Sequence, residues 1–357
     1  MDLVVSLVFT LIVTVLFILV LRPVALATGL VDIPGGRKTH DSPTPVVGGI
    51  AMYLGIFFGG VLMEAIPDFG VFMMGASLLI VVGVIDDRFE LPATVRLIAQ
   101  TCAVLFMIFA ADLKLEAIGT PLFFNFELGS FAIAFTILVS LAVINAFNII
   151  DGIDGLAGGT AFITLSFMAI LSIHSSALNL ILLLLAVIIG FLICNAPASS
   201  NQQVKCFMGD SGSTFLGFSV VWLGISLSQS ETNIVPAVTG LWLVAVPIYD
   251  VITSTLRRIF RGKSPFKPDR DHFHDVLMRL GFSARMTLLT ILALSLLAAL
   301  IGLVGEVFMV PDGIMFLLWL VCGVVYFEAV RGNKLVVSLV NRLLKKMLSS
   351  KLSQHEV

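Results

Sequence analysis

Eleven apolar runs, each near the length of a helix that crosses a bilayer, occupy most of this 357-residue chain. They lie at about 3–21, 46–63, 69–85, 93–111, 130–147, 157–174, 177–194, 212–229, 234–254, 287–305 and 312–330. A hydrocarbon core about 30 Å thick needs roughly 20 apolar residues as a helix. Charged residues make up only 12% of the chain, hydrophobic ones 58%, and mean hydropathy is +1.07. Soluble domains carry about 25% charged residues, so the balance excludes a disordered chain, a nucleic-acid-binding protein and a soluble enzyme. The expected fold is all-α: a polytopic integral membrane protein with about 11 transmembrane helices.

Basic residues orient the spans. Ala25-Leu26-Ala27 resembles a signal-peptide cleavage site, but no Lys or Arg precedes the first run and Arg22 follows it. That polarity is opposite to a signal peptide, so the first run reads as a retained helix. With the N-terminus periplasmic, twenty of the 21 Lys and Arg residues fall on the cytoplasmic side and only Lys114 falls outside. The positive-inside rule therefore predicts a cytoplasmic C-terminus. Residues 1–333 read as one transmembrane catalytic domain, and 334–357 as a basic tail. In that tail Leu335, Leu339, Leu343 and Met347 recur one turn apart among Lys and Arg. The spacing suits an amphipathic helix on the inner leaflet; a solvated, frayed tail is the alternative. Cys102, Cys194, Cys206 and Cys322 form no CxxC pair and read as small buried hydrophobes.

Acidic residues beside membrane spans are expensive and usually functional. Three separated segments deliver them to the cytoplasmic face. Asp86-Asp87 closes the run ending at Ile85. There two carboxylates meet the negative end of a helix dipole and repel each other; a solvated end paired with Arg88, or a divalent-cation site, would each relieve them. In Asn145-Ala-Phe-Asn148-Ile-Ile-Asp151-Gly-Ile-Asp154-Gly, polar groups recur every three residues, which places neighbours together on a helix or its terminal turn. The glycines after it allow tight turns and close approach to a ligand. Asp210 in Phe207-Met-Gly-Asp210-Ser-Gly-Ser reads either as an N-cap or as part of an anion and metal site at a helix N-terminus.

The segment 255–286 carries eight Lys and Arg residues, including Arg261 and Arg270, and the pair His272 and His274. A basic run beside a membrane binds anionic headgroups. The two histidines fit donors to anionic oxygens better than metal ligands. Asp250, in Val246-Pro-Ile-Tyr-Asp250, is either a site residue or a partner of Arg257 or Arg258.

Together, Asp86-Asp87, Asn145-xx-Asn148-xx-Asp151-Gly-x-Asp154-Gly-Leu, Phe207-Met-Gly-Asp210-Ser-Gly-Ser and His272-x-His274 resemble the polyprenyl-phosphate N-acetylhexosamine-1-phosphate transferase family, over about residues 32–282. The first loop, Asp32 to His40, and the stretch Ser264 to Arg270 look like the branch that uses N-acetylglucosamine. The long Lys-rich loop and triple histidine of the peptidoglycan branch are absent. Two positions depart from the family pattern: Asp275 stands where a histidine is usual, and Glu90 where a third aspartate is usual.

The resemblance implies transfer of GlcNAc-1-phosphate from UDP-GlcNAc to undecaprenyl phosphate. The products would be undecaprenyl-diphosphate-GlcNAc and UMP, which begins a lipid-linked surface polysaccharide at the bacterial inner membrane. It implies Mg²⁺, or Mn²⁺ in its place, held by Asp210 with Asp86, Asp87 or Asp151. Catalytic roles fall on Asp86, Asp87, Asp151, Asp154, Asp210, His272 and His274. Substrate-binding roles fall on Asp32, Arg37, Lys38, His40, Glu90, Asn145, Asn148, Asn195, Phe207, Asp250, Arg261 and Arg270. Among these, Phe207, Asp154 and Asn195 would hold uridine, and Arg270, His272 and His274 the diphosphate or sugar.

Phosphoryl transfer needs positioning and charge neutralisation more than covalent help. A phosphate monoester is largely dianionic above its second pKa of ~6. Asp86 and Asp87 are therefore expected to position metal and lipid phosphate rather than act as a base. The partners expected are the nucleotide sugar, the lipid phosphate and membrane lipid, with no nucleic acid; a homodimer stays open. Alternatives are the same chemistry on another UDP-N-acetyl sugar (a GalNAc or MurNAc-pentapeptide donor) and, from another class, an ion-coupled transporter.

Overall fold

The computed structural model describes residues 3–33, 43–63, 66–196, 204–230, 233–262 and 272–331. Thirteen helices are formed among them: α1 (Leu3–Thr28), α2 (Gly48–Leu62), α3 (Phe69–Phe89), α4 (Ala93–Ala110), α5 (Ala132–Ile150), α6 (Leu156–Leu171), α7 (Leu178–Asn195), α8 (Gly209–Ser228), α9 (Ala237–Leu243), α10 (Ala245–Phe260), α11 (Phe273–Arg279), α12 (Ala284–Val307) and α13 (Asp312–Val330). The only sheet among the described residues is a two-stranded antiparallel ribbon, β1 (Val31–Asp32) with β2 (Thr44–Pro45). The tail 334–357 lies outside the described residues.

Each of the eleven apolar runs is helical, and the chain is an all-α polytopic membrane protein. Among the described residues, eight helices are long and apolar enough to cross a bilayer, and nine if α9 and α10 count as one bent span. The apolar helices α2 and α6 are shorter. The run at 234–254 is expected as one span, but it breaks at Val244 with an 81° bend. Pro247 explains the break: it has no N–H to give the carbonyl four residues back, which is Leu243's. The hydroxyl of Thr164 on α6 donates to Leu243 O instead (2.8 Å), as membrane proteins satisfy freed carbonyls.

Helix α8 is the axis of the molecule, with 89% of its apolar window buried. α2, α3, α5 and α6 pack around it. Without a hydrophobic drive between helices in lipid, tight packing through small residues does the holding. Gly83 of α3 lies against the Ser211 backbone, and Gly49 of α2 against that of Gly212, so a Cβ at either glycine would collide with α8. Farther along, Phe72 stacks on Phe218 with centroids 5.9 Å apart. The glycine contacts draw the polar ends of α3 and α8 together.

Three helix ends run past the apolar runs that predict them. α3 continues to Phe89, α5 to Ile150, and α8 begins at Gly209. Asp86, Asp87, Asn148 and Asp210 are therefore carried on helical turns inside the bundle. Cys194 and Cys206 are buried as expected, but Cys102 is exposed on the outer face of α4 and Cys322 is only partly buried.

Candidate active site

The head of α8 is fixed first. Gly209 adopts φ +72°, a left-handed conformation that glycine takes without a steric penalty. Its backbone sits so close to the Asp87 carboxylate that a Cβ would overlap it. Asp87 Oδ1 accepts the N–H of Asp210 (2.7 Å), and Oδ2 accepts the N–H (3.3 Å) and hydroxyl (2.9 Å) of Ser211. Asp87 thus caps α8 from another helix, satisfying N–H groups that would otherwise be orphaned. Asp210 is not the N-cap: it lies in the first turn, and its side chain is released for other partners.

Those partners are Asn148 and Arg96. Asn148 Nδ2 donates to Asp210 Oδ1 (2.9 Å), and Arg96 Nη1 donates to Asp210 Oδ2 (2.9 Å) and Asp86 Oδ2 (3.2 Å). Asp86 Oδ1 accepts the N–H of Leu91 (2.6 Å). The relief expected from Arg88 comes from Arg96, while Arg88 lies over the Phe89 ring.

Asp151 ends α5, and the turn after it reaches Gly155, whose N–H donates to Asn195 Oδ1 (2.7 Å). Asn195 Nδ2 donates to Cys206 O (2.9 Å), tying this turn to the Phe207 segment. Phe207 is bonded through its N–H to Pro45 O (2.9 Å) and through its carbonyl to Gly48 N–H (2.9 Å). The β-ribbon, the turn after α5 and the head of α8 thereby enclose one cavity of about 450 Å³.

Asp32, Asp87, Asn148, Asp151, Asp154, Asn195, Phe207 and Asp210 all line it, joined by Asp275 and Met278 from α11. Asp151 makes no hydrogen bond or ion pair among the described residues. Burial, then the charges of Asp210, Asp87 and Asp154, push its carboxyl up to about 8. Asp154 pairs with Lys205 (2.8 Å), whose ammonium also lies 5.3 Å from the centre of the Phe207 ring.

Other expected site residues lie behind this wall. Asp86 and Asn145 line a second, much smaller cavity with Arg96 and Gln100, on another side of Asn148 and Asp210. Asn145 Nδ2 donates to Gln100 Oε1 (2.7 Å). Asp250 is 3% exposed and accepts the N–H of Phe273 (2.9 Å) and the hydroxyl of Tyr326 (3.1 Å), with His272 Nδ1 at 2.9 Å. Asp250 and His272 therefore anchor α11 and do not line the large cavity; the expected pairing of Asp250 with Arg257 or Arg258 is replaced by this anchor. His274 packs its ring on Gly152, and burial holds its imidazole below the usual histidine range. Glu90, at the exposed C-terminal cap of α3, and Arg261, after α10, stand away from the wall. Arg37, Lys38, His40 and Arg270 lie outside the described residues.

Sequence reasoning missed Arg96, Gln100, Ser211, Lys205 and Tyr326. Arg96 and Lys205 entered it only as topological charges. The available signal was an arginine within an apolar helix, ten residues after Asp86, and a lysine two residues before Phe207.

Among the described residues, no three Asp, Glu, His or Cys side chains form a ready metal-binding group. The donor set suits Mg²⁺ all the same, because that ion takes one or two carboxylates and completes its shell with substrate phosphates and water. Asp151 has unused oxygens, and Asp210 keeps lone pairs beyond its two hydrogen bonds.

The profile of glycosyl transferase family 4 matches residues 69–228, which span Asp86 to Asp210. The undecaprenyl-phosphate alpha-N-acetylglucosaminyl 1-phosphate transferase of Yersinia pestis is 35% identical over 346 residues, 95% of this chain and 94% of that protein. The protein of the same name from Escherichia coli (strain K12) is 33% identical over 341 residues, 94% of this chain and 92% of its own length. That of Pasteurella multocida (strain Pm70) is 34% identical over 316 residues, covering 87% and 88%. With identity of this level sustained over nearly the whole length, the chain belongs to glycosyl transferase family 4, alongside these membrane sugar-phosphate transferases.

Proposed function

We propose that this protein transfers GlcNAc-1-phosphate from UDP-GlcNAc to undecaprenyl phosphate, releasing UMP. The observation that carries the reading is the convergence of Asp87, Asp151, Asp154 and Asp210 on one cavity, in a chain so similar to transferases of that name. An oxygen of the lipid phosphate attacks the phosphorus that bears the sugar. A P–O bond forms to the lipid phosphate, the bond to the UMP oxygen breaks, and UMP leaves with that electron pair.

Little covalent help is needed. Both reactants are anions and the wall is acidic, so a cation has to bring them together. Asp210 and Asp151 are the residues we assign to Mg²⁺, which would neutralise charge on the phosphates. Asp87 holds the head of α8, and with it Asp210, in place. Asn148 orients the Asp210 carboxylate, and Phe207 offers a ring face to the uracil. The basic-residue asymmetry supports placing this cavity on the cytoplasmic side of the inner membrane, where nucleotide sugars are found.

The test is UMP release by the purified protein with undecaprenyl phosphate and Mg²⁺, comparing UDP-GlcNAc, UDP-GalNAc and UDP-MurNAc-pentapeptide. Release with UDP-GlcNAc well above the other two is expected. Release with neither GlcNAc nor another donor, from folded protein, would sink the reading, and preference for another donor would correct the sugar. Chelation of the metal should abolish release, and Mg²⁺ should restore it.

A further inference from the structure

The wall of the large cavity carries Asp32, Asp87, Asp151, Asp154, Asp210 and Asp275, and no Lys or Arg among its described residues. Against such a wall a diphosphate donor gains from any cation that reaches it, a side-chain ammonium included. Lys205 reaches this wall from behind. Its ammonium lies 2.8 Å from Asp154 Oδ2 and 5.3 Å from the Phe207 ring centre, and its side chain is 23% exposed.

The backbone just after Lys205 is anchored. Asn195 Nδ2 donates to Cys206 O (2.9 Å), and Phe207 N–H donates to Pro45 O (2.9 Å). From that anchored segment the four-carbon stem gives the ammonium its reach. The two contacts that hold the ammonium are individually weak when partly exposed to water. Phosphate oxygens offer stronger, charge-assisted hydrogen bonds, and lysine is suited to serve them as a mobile point charge.

We propose that Lys205 is a donor-binding residue, kept at rest between Asp154 and Phe207 and delivered to the diphosphate of the nucleotide when its base engages Phe207. The inference rests on the proposed function, since it requires a nucleoside diphosphate donor. Lys205 serves the phosphates and leaves recognition of the base to its neighbours. Asp154, released from its pair, becomes an acceptor beside the bound nucleoside.

Titration of the full-length protein in detergent micelles with uridine, UMP and UDP, in Mg²⁺ and again in EDTA, separates these roles. Lys205→Met should weaken UDP by about tenfold or more and leave uridine nearly unchanged or slightly tighter. Lys205→Arg should retain most of the UDP affinity, and Lys205→Gln should behave as Met does, giving a second neutral variant if Met disturbs folding. Equal losses for uridine and UDP would make Lys205 a structural clamp and overturn the inference, as would unchanged UDP binding in both neutral variants. Wild-type protein that binds none of the three nucleotides in Mg²⁺ would overturn the proposed function itself, a result distinct from either of those.

Discussion

The carboxylate of Asp87, near the end of α3, closes over the first turn of α8, accepting the backbone N–H groups of Asp210 (2.7 Å) and Ser211 (3.3 Å). Two acidic residues 123 positions apart are thus joined not by a shared ligand but by one residue capping the helix that carries the other. Loss of a cap costs about 0.5–2 kcal/mol. Asp87→Ala should lower the melting temperature and abolish UMP release. Asp87→Asn keeps one of the two acceptor oxygens and turns an amide NH2 towards the other donors, so it should melt between Asp87→Ala and wild type while its activity falls by about 10²-fold, the scale of losing one charge-stabilising group. That loss should be even across pH; recovery at high pH alone would identify Asp87 as a base instead.

Arg96 places one guanidinium nitrogen between Asp86 (3.2 Å) and Asp210 (2.9 Å). Removing it leaves two carboxylates with no compensating charge, which is severe when buried; the arginine side chain is 34% exposed, so solvent screens part of the loss. Arg96→Met should destabilise by about 1–2 kcal/mol. If Asp210 is a metal ligand, Mg²⁺ should raise the melting temperature of Arg96→Met more than that of wild type, because a cation binding only the folded state stabilises it by mass action. An equal Mg²⁺ response in both proteins would remove Asp210 from the metal site.

These two relationships mark where the sequence stops being legible. Apolar runs of bilayer length define the helices because lipid leaves few alternatives, and each run is found as helix. The acidic motifs come together in space, and eight expected residues meet in one cavity. What one dimension hides is pairing. Asp210 followed by Ser-Gly-Ser looks like its own N-cap, and only the packing of Gly83 and Gly49 against α8 brings Asp87 in to take that role. In sequence, the polar residues after Ile85 and Phe147 read as the end of a span, although the helices continue to Phe89 and Ile150. Inside a bundle, polar turns stay helical when neighbours satisfy them.

Asp151 gives the pH dependence. Its carboxyl is pushed up to about 8 by burial and by Asp210, Asp87 and Asp154, whereas an unfolded aspartate titrates near 3.9. The folded state therefore holds this proton more tightly. The stabilisation is complete below about pH 4 and is lost as pH rises towards about 8. Asp151→Asn should flatten the fall in melting temperature between about pH 5 and pH 8.5 relative to wild type. Divalent-cation binding at neutral pH should also release a proton in wild type and not in Asp151→Asn, measured by calorimetry in buffers of different ionisation enthalpy. Equal proton release by both proteins would exclude Asp151 as the source.

The ring of His274 occupies the space where a side chain at position 152 would begin. Gly152→Ala should therefore displace either α11 or the turn that carries Asp151 and Asp154, destabilising by about 1–3 kcal/mol as overpacking does. Gly152→Ala combined with His274→Ala should recover most of the melting temperature, because the clash is gone. Activity should not recover in the double variant if His274 serves the substrate; recovery of both would assign His274 a packing role only.

Asp250 ties the start of α11 to α13. It accepts the hydroxyl of Tyr326 on α13 (3.1 Å) and the N–H of Phe273 at the start of α11 (2.9 Å). Tyr326→Phe removes one donor and leaves the Phe273 N–H and His272 Nδ1 in place, so a loss of about 1 kcal/mol is expected. Asp250→Leu strands the Phe273 N–H and the Tyr326 hydroxyl together, and should cost more than that single bond. Because α11 contributes Asp275 and Met278 to the cavity, Asp250→Leu should also raise KM for the nucleotide sugar. In the double variant Asp250→Leu/Tyr326→Phe the two stability losses should fall short of their sum, since both changes act on one contact. Fully additive losses would show that Tyr326 and Asp250 do not work as a pair, and that α13 does not hold α11 through them.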